Sequence, residues 1–145
     1  MGQIREECGV FGIFDPDGRA SAQEVYYGLY ALQHRGQEGC GIAVGGRDGF
    51  RLHRRGGLVG DVFTTARLNE LGDGEIALGH VRYATTGDDS IENIQPLLLR
   101  RGQGSMAVAH NGNLVGAQEL RDRFEARGAV FHATTDTEVI AYAVN

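Results

Sequence analysis

Cys8 is the residue of this sequence best placed to act as a nucleophile. It comes directly before an apolar run at 10–14, which predicts a buried strand, and the glycines at 9 and 12 leave room for backbone to approach the sulfur. Taken alone, a free cysteine is more often a small buried core residue. Nucleophilic catalysis also requires a base, donors for a developing oxyanion and groups that hold the substrate.

Three further polar clusters stand at the ends of predicted elements and could supply those groups: Arg82 with Thr85, Asn111 with Gly112, and Asp136. The Asn111 side-chain amide and the Gly112 N–H could donate to an oxyanion. Arg82 could hold a carboxylate through two parallel hydrogen bonds, and Asp136 could bind an ammonium group. Together the last two would suit the α-carboxylate and the α-amine of an amino acid.

Each cluster also has a purely structural interpretation. Asn-Gly pairs are typical of hairpin turns, an aspartate in the first turn of a helix interacts favourably with the helix dipole, and Arg82 could belong to a buried ion pair. His34, His80 and His110 stand at element ends, where hydrogen-bonded structural histidines are common. Each structural interpretation is plausible for its own cluster. It is less plausible that all four clusters occur together by chance.

The hydrophobic pattern predicts strands interleaved with helices. A capping box at Ser21 and Glu24 opens a helix that ends near His34, and a second box at 135–138 opens the last helix. The other predicted elements are a hairpin at 41–53, a helix at 61–71, strands at 76–83, 96–99, 105–109 and 129–131, and a helix at 117–127. This order indicates an α+β domain whose antiparallel sheets are covered by helices. Because the apolar face of the last helix has little left to pack on, we expect the chain to be a C-terminally truncated piece of a longer one.

Composition excludes several classes of function. The 145 residues suit one domain, and a net charge of −5 without long charge runs argues against a nucleic-acid or membrane surface. Without a signal peptide or an apolar stretch of roughly 18 residues, a cytoplasmic location is expected. Cys8 and Cys40 are too few for a disulfide framework or a zinc site, so no metal is expected. No glycine-rich phosphate-binding motif is present.

Five blocks of the chain, taken in order, resemble one known family. They lie at 7–13 (ECGVFGI), 32–39 (LQHRGQEG), 80–87 (HVRYATTG), 110–114 (HNGNL) and 135–138 (TDTE). They are similar to the N-terminal glutaminase domain of the amidophosphoribosyltransferases, which are class II glutamine amidotransferases. The resemblance implies an N-terminal-nucleophile hydrolase fold, a four-layer αββα sandwich of two antiparallel sheets.

The resemblance also implies roles for individual residues. Cys8 would attack the side-chain amide of glutamine, while Asn111 and the Gly112 N–H would stabilise the oxyanion. Arg82 and Thr85 would bind the α-carboxylate of glutamine, and Asp136 would bind its α-ammonium group. Arg35 and Gly36 would border the glutamine pocket. The sequence Gln-Glu after Arg35-Gly36 favours the phosphoribosyl branch over the hexosamine and asparagine branches.

The position of Cys8 in the chain adds a requirement. In this fold class the base is the free α-amine of the nucleophile itself, which has a pKa of roughly 7.7 to 8.0. The nitrogen of Cys8 lies in a peptide bond, which cannot act as a base. We therefore expect residues 1–7 to be a propeptide that is removed, and residues 8–145 to form an incomplete glutaminase domain without a phosphoribosyltransferase domain.

The resemblance finally sets expectations about partners and cofactors. The substrate would be L-glutamine, and the ammonia would react with phosphoribosyl pyrophosphate in a missing domain during the first step of purine biosynthesis. No cofactor is expected in this segment, whereas Mg²⁺ and, in some members, a 4Fe-4S cluster would belong to the missing part of a full-length homo-oligomer. Two alternatives stay open: a truncated or unprocessed domain that binds glutamine or a partner without turnover, and the glutaminase domain of another class II amidotransferase.

Overall fold

The computed structural model describes residues 8–83, 90–102 and 104–144, and at Arg101 it describes the backbone alone. Residues 1–7 and Thr85 therefore lie outside the described residues. The strands are Gly9–Phe14 (β1), Ala20–Ser21 (β2), Gly39–Gly46 (β3), Gly49–Gly56 (β4), Asp73–Gly74 (β5), Ile76–Arg82 (β6), Leu97–Arg101 (β7) and Gly104–Val108 (β8). The helices are Ala22–Ala31 (α1), Val59–Val62 (α2), Thr65–Leu71 (α3), Ala117–Glu125 (α4) and Asp136–Ala143 (α5), with 3-10 turns at Gln33–Arg35 and Ile91–Asn93.

The main sheet has four antiparallel strands in the order β1–β6–β3–β4. Strand β6 lies between β1 and β3, with Gly9 opposite Val81 on one side and Gly39 opposite Arg82 on the other. The start of β1, the start of β3 and the end of β6 therefore meet at one end of the sheet. Cys8 directly precedes β1 and so lies at this end.

Helix α1 covers one face of this sheet. Its predicted capping box is confirmed, because the Ser21 hydroxyl accepts from the Glu24 N–H and the Glu24 carboxylate accepts from the Ser21 N–H. Val25 and Leu29 are fully buried and pack with apolar side chains of β3 and β6 such as Ile42. The α-helix ends at Ala31, and the 3-10 turn continues the chain as far as the predicted helix end near His34.

The opposite face of the sheet is covered by the segment that leads into β7. A Cβ built on Gly41 of β3 would lie 2.3 Å from the backbone oxygen of Gln95, so the two backbones touch at a position that only glycine allows. The β7–β8 hairpin follows, and α5 packs against β7 and α4. The order of layers is α1, the four-stranded sheet, the two-stranded hairpin, and α4 with α5, which agrees with the predicted αββα arrangement.

Four local predictions are wrong or only partly right. The helix predicted at 61–71 is divided into α2 and α3, because the Thr64 hydroxyl accepts from the Arg67 N–H and starts a new helix. Residues 129–131 form no strand. The capping box at 135–138 is absent, since Glu138 instead accepts from the N–H groups of His132 and Ala133. The apolar face of α5, which the sequence suggests has little to pack on, is partly packed: Val139 is buried, Ile140 and Tyr142 are partly buried, and Ala143 is exposed.

No helix in the described ranges combines the length and the apolar character that a membrane span requires. Within the same ranges, no group of three or more His, Cys, Asp or Glu side chains is arranged to hold a metal ion.

The contact between Gly41 and Gln95 yields a stability prediction. The substitution Gly41→Ala should destabilise the protein by about 1–3 kcal/mol, because its methyl group would press on backbone rather than on a flexible side chain. Gly12→Ala is the matched control, since a Cβ there would meet only ordinary contacts at 3.4 Å or more, and its stability should change by less than about 1 kcal/mol. Urea denaturation of both variants measures this, and equal midpoints would contradict the prediction.

Candidate functional site

The thiol of Cys8 is held by the backbone of Tyr83. The sulfur lies 3.4 Å from the Tyr83 N–H nitrogen, which donates to it, and 3.7 Å from the Tyr83 carbonyl oxygen, to which the thiol donates. Tyr83 directly follows β6, so the pairing of β1 with β6 brings this backbone to the sulfur. Cys8 is partly exposed, whereas Cys40 is fully buried on the face covered by α1, where burial raises the pKa of the Cys40 thiol to about 12.

The loop after α1 lies beside the backbone of Cys8. The Arg35 Nε donates to the carbonyl oxygen of Cys8 at 3.3 Å. A Cβ built on Gly36 would lie 2.7 Å from the carbonyl carbon of Arg82, so this loop packs directly on the end of β6. The Gln33 side chain fixes the loop from within, because its Nε2 donates to the Gly36 oxygen and its Oε1 accepts from the Val59 N–H.

Asp136 and the segment before α4 form a second cluster. One Asp136 oxygen accepts from the Leu114 N–H, and the other lies 3.8 Å from the His110 Nδ1. Between them, Gly112 has a φ of +150°, which residues with a side chain rarely adopt. The Asn111–Gly112 pair is exposed and leads from β8 into α4, so it is not the two-residue hairpin turn that the alternative interpretation requires.

The structure thus brings most of the predicted residues into two clusters. Cys8, Arg35, Gly36 and Arg82 lie together at the end of the four-stranded sheet, and Asp136 contacts the segment that contains Asn111 and Gly112. In the described part of the chain, no hydrogen bond joins Asn111 or Gly112 to Cys8.

Two buried polar residues lie between these clusters: Gln95, which sequence reasoning missed, and His80, which it interpreted as a hydrogen-bonded structural histidine. Gln95 is 6% exposed and accepts from the His110 N–H at 2.7 Å through its side-chain oxygen. His80 of β6 is 0% exposed, and its pKa is also influenced by the charges of Arg82 and His110. A glutamine before a proline gives no local signal of such a role, whereas a histidine inside an apolar strand does indicate an unusual environment.

His80 is neutral at physiological pH. Burial lowers its pKa to about 4, and the nearby positive charges of Arg82 and His110 act in the same direction. The His110 backbone partly offsets the shift without reaching hydrogen-bond geometry, and neither ring nitrogen of His80 has a partner among the described residues. His80 therefore differs from the hydrogen-bonded structural histidine that its position in the sequence suggests.

Comparisons with known proteins identify the family to which this chain belongs. A family model described as a glutamine amidotransferase domain matches residues 67–145. An amidophosphoribosyltransferase of Lacticaseibacillus casei is 49% identical over 142 residues, which cover 97% of this chain and 72% of that relative. The chain belongs to the glutamine amidotransferase domains of the amidophosphoribosyltransferase family.

Longer relatives and a solved structure agree with this assignment. The amidophosphoribosyltransferase of Bacillus subtilis strain 168 is 47% identical over 97% of this chain, which spans only 29% of that relative's length. The solved glutamine phosphoribosylpyrophosphate amidotransferase from B. subtilis, in complex with ADP and GMP, superposes with a TM-score of 0.78 at 46% identity. That match covers 91% of this chain and 28% of the solved chain. The chain has the α+β N-terminal-nucleophile hydrolase fold that the resemblance implies.

The buried His80 predicts a pH dependence of stability. Its pKa rises from about 4 in the folded state to about 6.5 in the unfolded state, so unfolding takes up a proton between these values. Its contribution to stability is complete above pH 6.5 and is lost as the pH falls towards 4, by about 3 kcal/mol in all.

Urea denaturation between pH 4 and pH 7 measures this dependence against His80→Leu. The free energy of unfolding of the variant should decrease less steeply with falling pH. Parallel profiles for the two proteins would show that His80 does not titrate in this way.

Proposed function

We propose that the chain is a glutaminase domain that hydrolyses the side-chain amide of L-glutamine to glutamate and ammonia. The observation that carries this proposal is the Cys8 thiol, fixed by the Tyr83 backbone beside Arg35 at the end of β6. Membership of the glutamine amidotransferase family supports the same reaction. The fold supports it as well, because the solved glutamine phosphoribosylpyrophosphate amidotransferase from B. subtilis superposes on this chain with a TM-score of 0.78.

The proposed reaction proceeds through a thioester. The sulfur of Cys8 attacks the side-chain carbonyl carbon of glutamine, the C–N bond breaks, and the thiol proton leaves with the nitrogen as ammonia. Water then cleaves the C–S bond and releases glutamate. The side-chain amide of Asn111 makes no hydrogen bond in the described part of the chain, and with the Gly112 N–H it would donate to the oxyanion.

Recognition of glutamine would use opposite charges at the two clusters. Arg82, with Thr85, would bind the α-carboxylate, since a guanidinium can donate two parallel hydrogen bonds to it. Asp136 would bind the α-ammonium group through the oxygen that faces His110. Arg35 and Gly36 would form the wall of the pocket next to the sulfur.

Proton transfer would depend on the α-amine of Cys8. With a pKa of roughly 7.7 to 8.0, between about a quarter and two fifths of such amines are neutral at pH 7.5. This amine becomes available only after residues 1–7 are removed, so we propose that they are a propeptide. The unprocessed chain would bind glutamine without turnover, which is the alternative function.

The product ammonia would be used by a longer protein. There we propose that it displaces pyrophosphate from phosphoribosyl pyrophosphate to give phosphoribosylamine, the first step of purine biosynthesis. The names of the relatives support this proposal, and this chain spans only 29% of the length of the Bacillus subtilis relative. A cytoplasmic homo-oligomer with Mg²⁺, and an iron–sulfur cluster in some members, remains a prediction for that longer protein.

Cys8 and Cys40 provide a matched test of the nucleophile. Intact mass first determines whether residues 1–7 are present, and a chain that begins at Cys8 should release glutamate from glutamine. Cys8→Ala should reduce this activity to background, whereas Cys40→Ser should retain it, because the Cys40 thiol is fully buried on the other face of the sheet. Hydrolysis that survives in Cys8→Ala would refute the assignment.

Arg82→Lys tests the proposed carboxylate site. Lysine keeps the charge but cannot form two parallel hydrogen bonds, so KM for glutamine should rise by about tenfold or more with a smaller change in kcat. Steady-state kinetics of glutamate release measures both constants. An unchanged KM would place the carboxylate elsewhere.

A further inference from the structure

The position of Gln95 links the main sheet to both parts of the second cluster. Gln95 lies between the 3-10 turn Ile91–Asn93 and β7, and it is 6% exposed. Its backbone oxygen rests on Gly41, with room for no Cβ there. Gly41 belongs to β3, which pairs with β6, and it lies opposite His80. Gln95 is therefore fixed to the sheet whose end holds Cys8 and Arg82.

Both polar atoms of the Gln95 side-chain amide form hydrogen bonds. Its Oε1 accepts from the His110 N–H at 2.7 Å, and its Nε2 donates to the Thr137 hydroxyl at 2.9 Å in a fully buried contact. His110 directly precedes Asn111, and Thr137 directly follows Asp136. Each hydrogen bond thus ends one residue away from a group that would contact glutamine.

A primary amide combines an acceptor and a donor on one planar group. Leaving a buried polar group without a hydrogen-bond partner costs free energy. Both hydrogen bonds of the Gln95 amide are therefore favoured, and they hold His110 and Thr137 at a fixed separation. If the amide were replaced by an apolar group, the His110 N–H would lose its acceptor and the hydroxyl of Thr137 would lose its donor. The loop and the helix could then shift independently of the sheet.

We propose that Gln95 is a positioning residue that fixes the Asn111–Gly112 segment and the start of α5 at a set distance from Cys8. The inference rests on the proposed function, because it assigns these two segments to the glutamine site. Gln95 itself would not contact glutamine, since both ends of its amide are occupied by protein groups.

The test uses the chain that begins at Cys8. Gln95→Leu removes both hydrogen bonds, Thr137→Val removes one of them with little change of shape, and Thr137→Ser retains the hydroxyl. We expect kcat/KM for glutamine to fall by about 100-fold in Gln95→Leu and about tenfold in Thr137→Val, because small misplacements of reacting groups have effects of this size. Thr137→Ser should remain within about threefold of the wild-type value.

Two further measurements separate positioning from loss of stability. Iodoacetamide alkylates the Cys8 sulfur without needing the groups that would bind the α-carboxylate and the α-ammonium group of glutamine, so its rate in these variants should stay close to that of the wild type. Val139→Ala, which creates a cavity in the same helix without touching the amide, should lower stability but leave kcat/KM unchanged. If Thr137→Ser were as impaired as Thr137→Val, or if Val139→Ala lost as much activity, Gln95 would have only a structural role.

Hydrogen exchange distinguishes failure of this inference from failure of the proposed function. In Gln95→Leu, amide exchange should accelerate in 110–114 and in 135–138 together, relative to Val139→Ala. An active wild-type chain without this joint acceleration would overturn the role of Gln95. A wild-type chain that begins at Cys8 and does not hydrolyse glutamine would overturn the proposed function, and with it the assignment of Gln95 to a glutamine site.

Discussion

The antiparallel pairing of β6 with its two neighbours is the interaction on which the site depends. Cys8 and Tyr83 are 75 positions apart in the chain, yet the pairing of Gly9 with Val81 brings them into contact. The pairing of Gly39 with Arg82 on the other side brings the loop of Arg35 to the same place. A slip of one residue in either register would turn alternate side chains to the wrong face of the sheet and separate the thiol from this backbone.

The two faces of the four-stranded sheet differ in the polarity of the side chains that they bury. The face under α1 carries the apolar core, in which Cys40 is one small member. The opposite face carries His80, whose ring is fully buried and is neutral because burial lowers its pKa to about 4. A neutral residue here avoids placing a further buried positive charge beside Arg82, where it would be unfavourable.

Local signals predicted most of the elements, and hydrogen bonds that the sequence pattern does not specify decided the exceptions. The box at Ser21 and Glu24 forms as predicted because both partners lie within one helical turn. The same pattern at 135–138 does not form, since the Glu138 carboxylate is taken by N–H groups of His132 and Ala133 that belong to the preceding segment.

The sequence predicted which residues belong to the candidate site, but it did not predict how they contact one another. Cys8, Arg35, Gly36 and Arg82 belong to sequence blocks of the family, and the structure places them together. Their contacts follow from strand registers that no local pattern specifies. Gln95 had no signal at all, because its role arises only when β3, the segment after β8 and α5 are assembled.

The charges of the two clusters have a consequence for the proposed substrate. Glutamine carries a carboxylate and an ammonium group on one carbon, so a guanidinium and an aspartate can both bind it only if their separation is fixed. Arg82 is attached to the sheet, whereas Asp136 begins a helix in a different layer. A difference of one ångström between these layers would misalign the amide carbon with the sulfur, because the α-carbon groups determine where the side chain ends. The buried amide between the layers would therefore contribute to the proposed reaction by geometry alone, and the α-amine of a chain that begins at Cys8 would contribute the proton transfer.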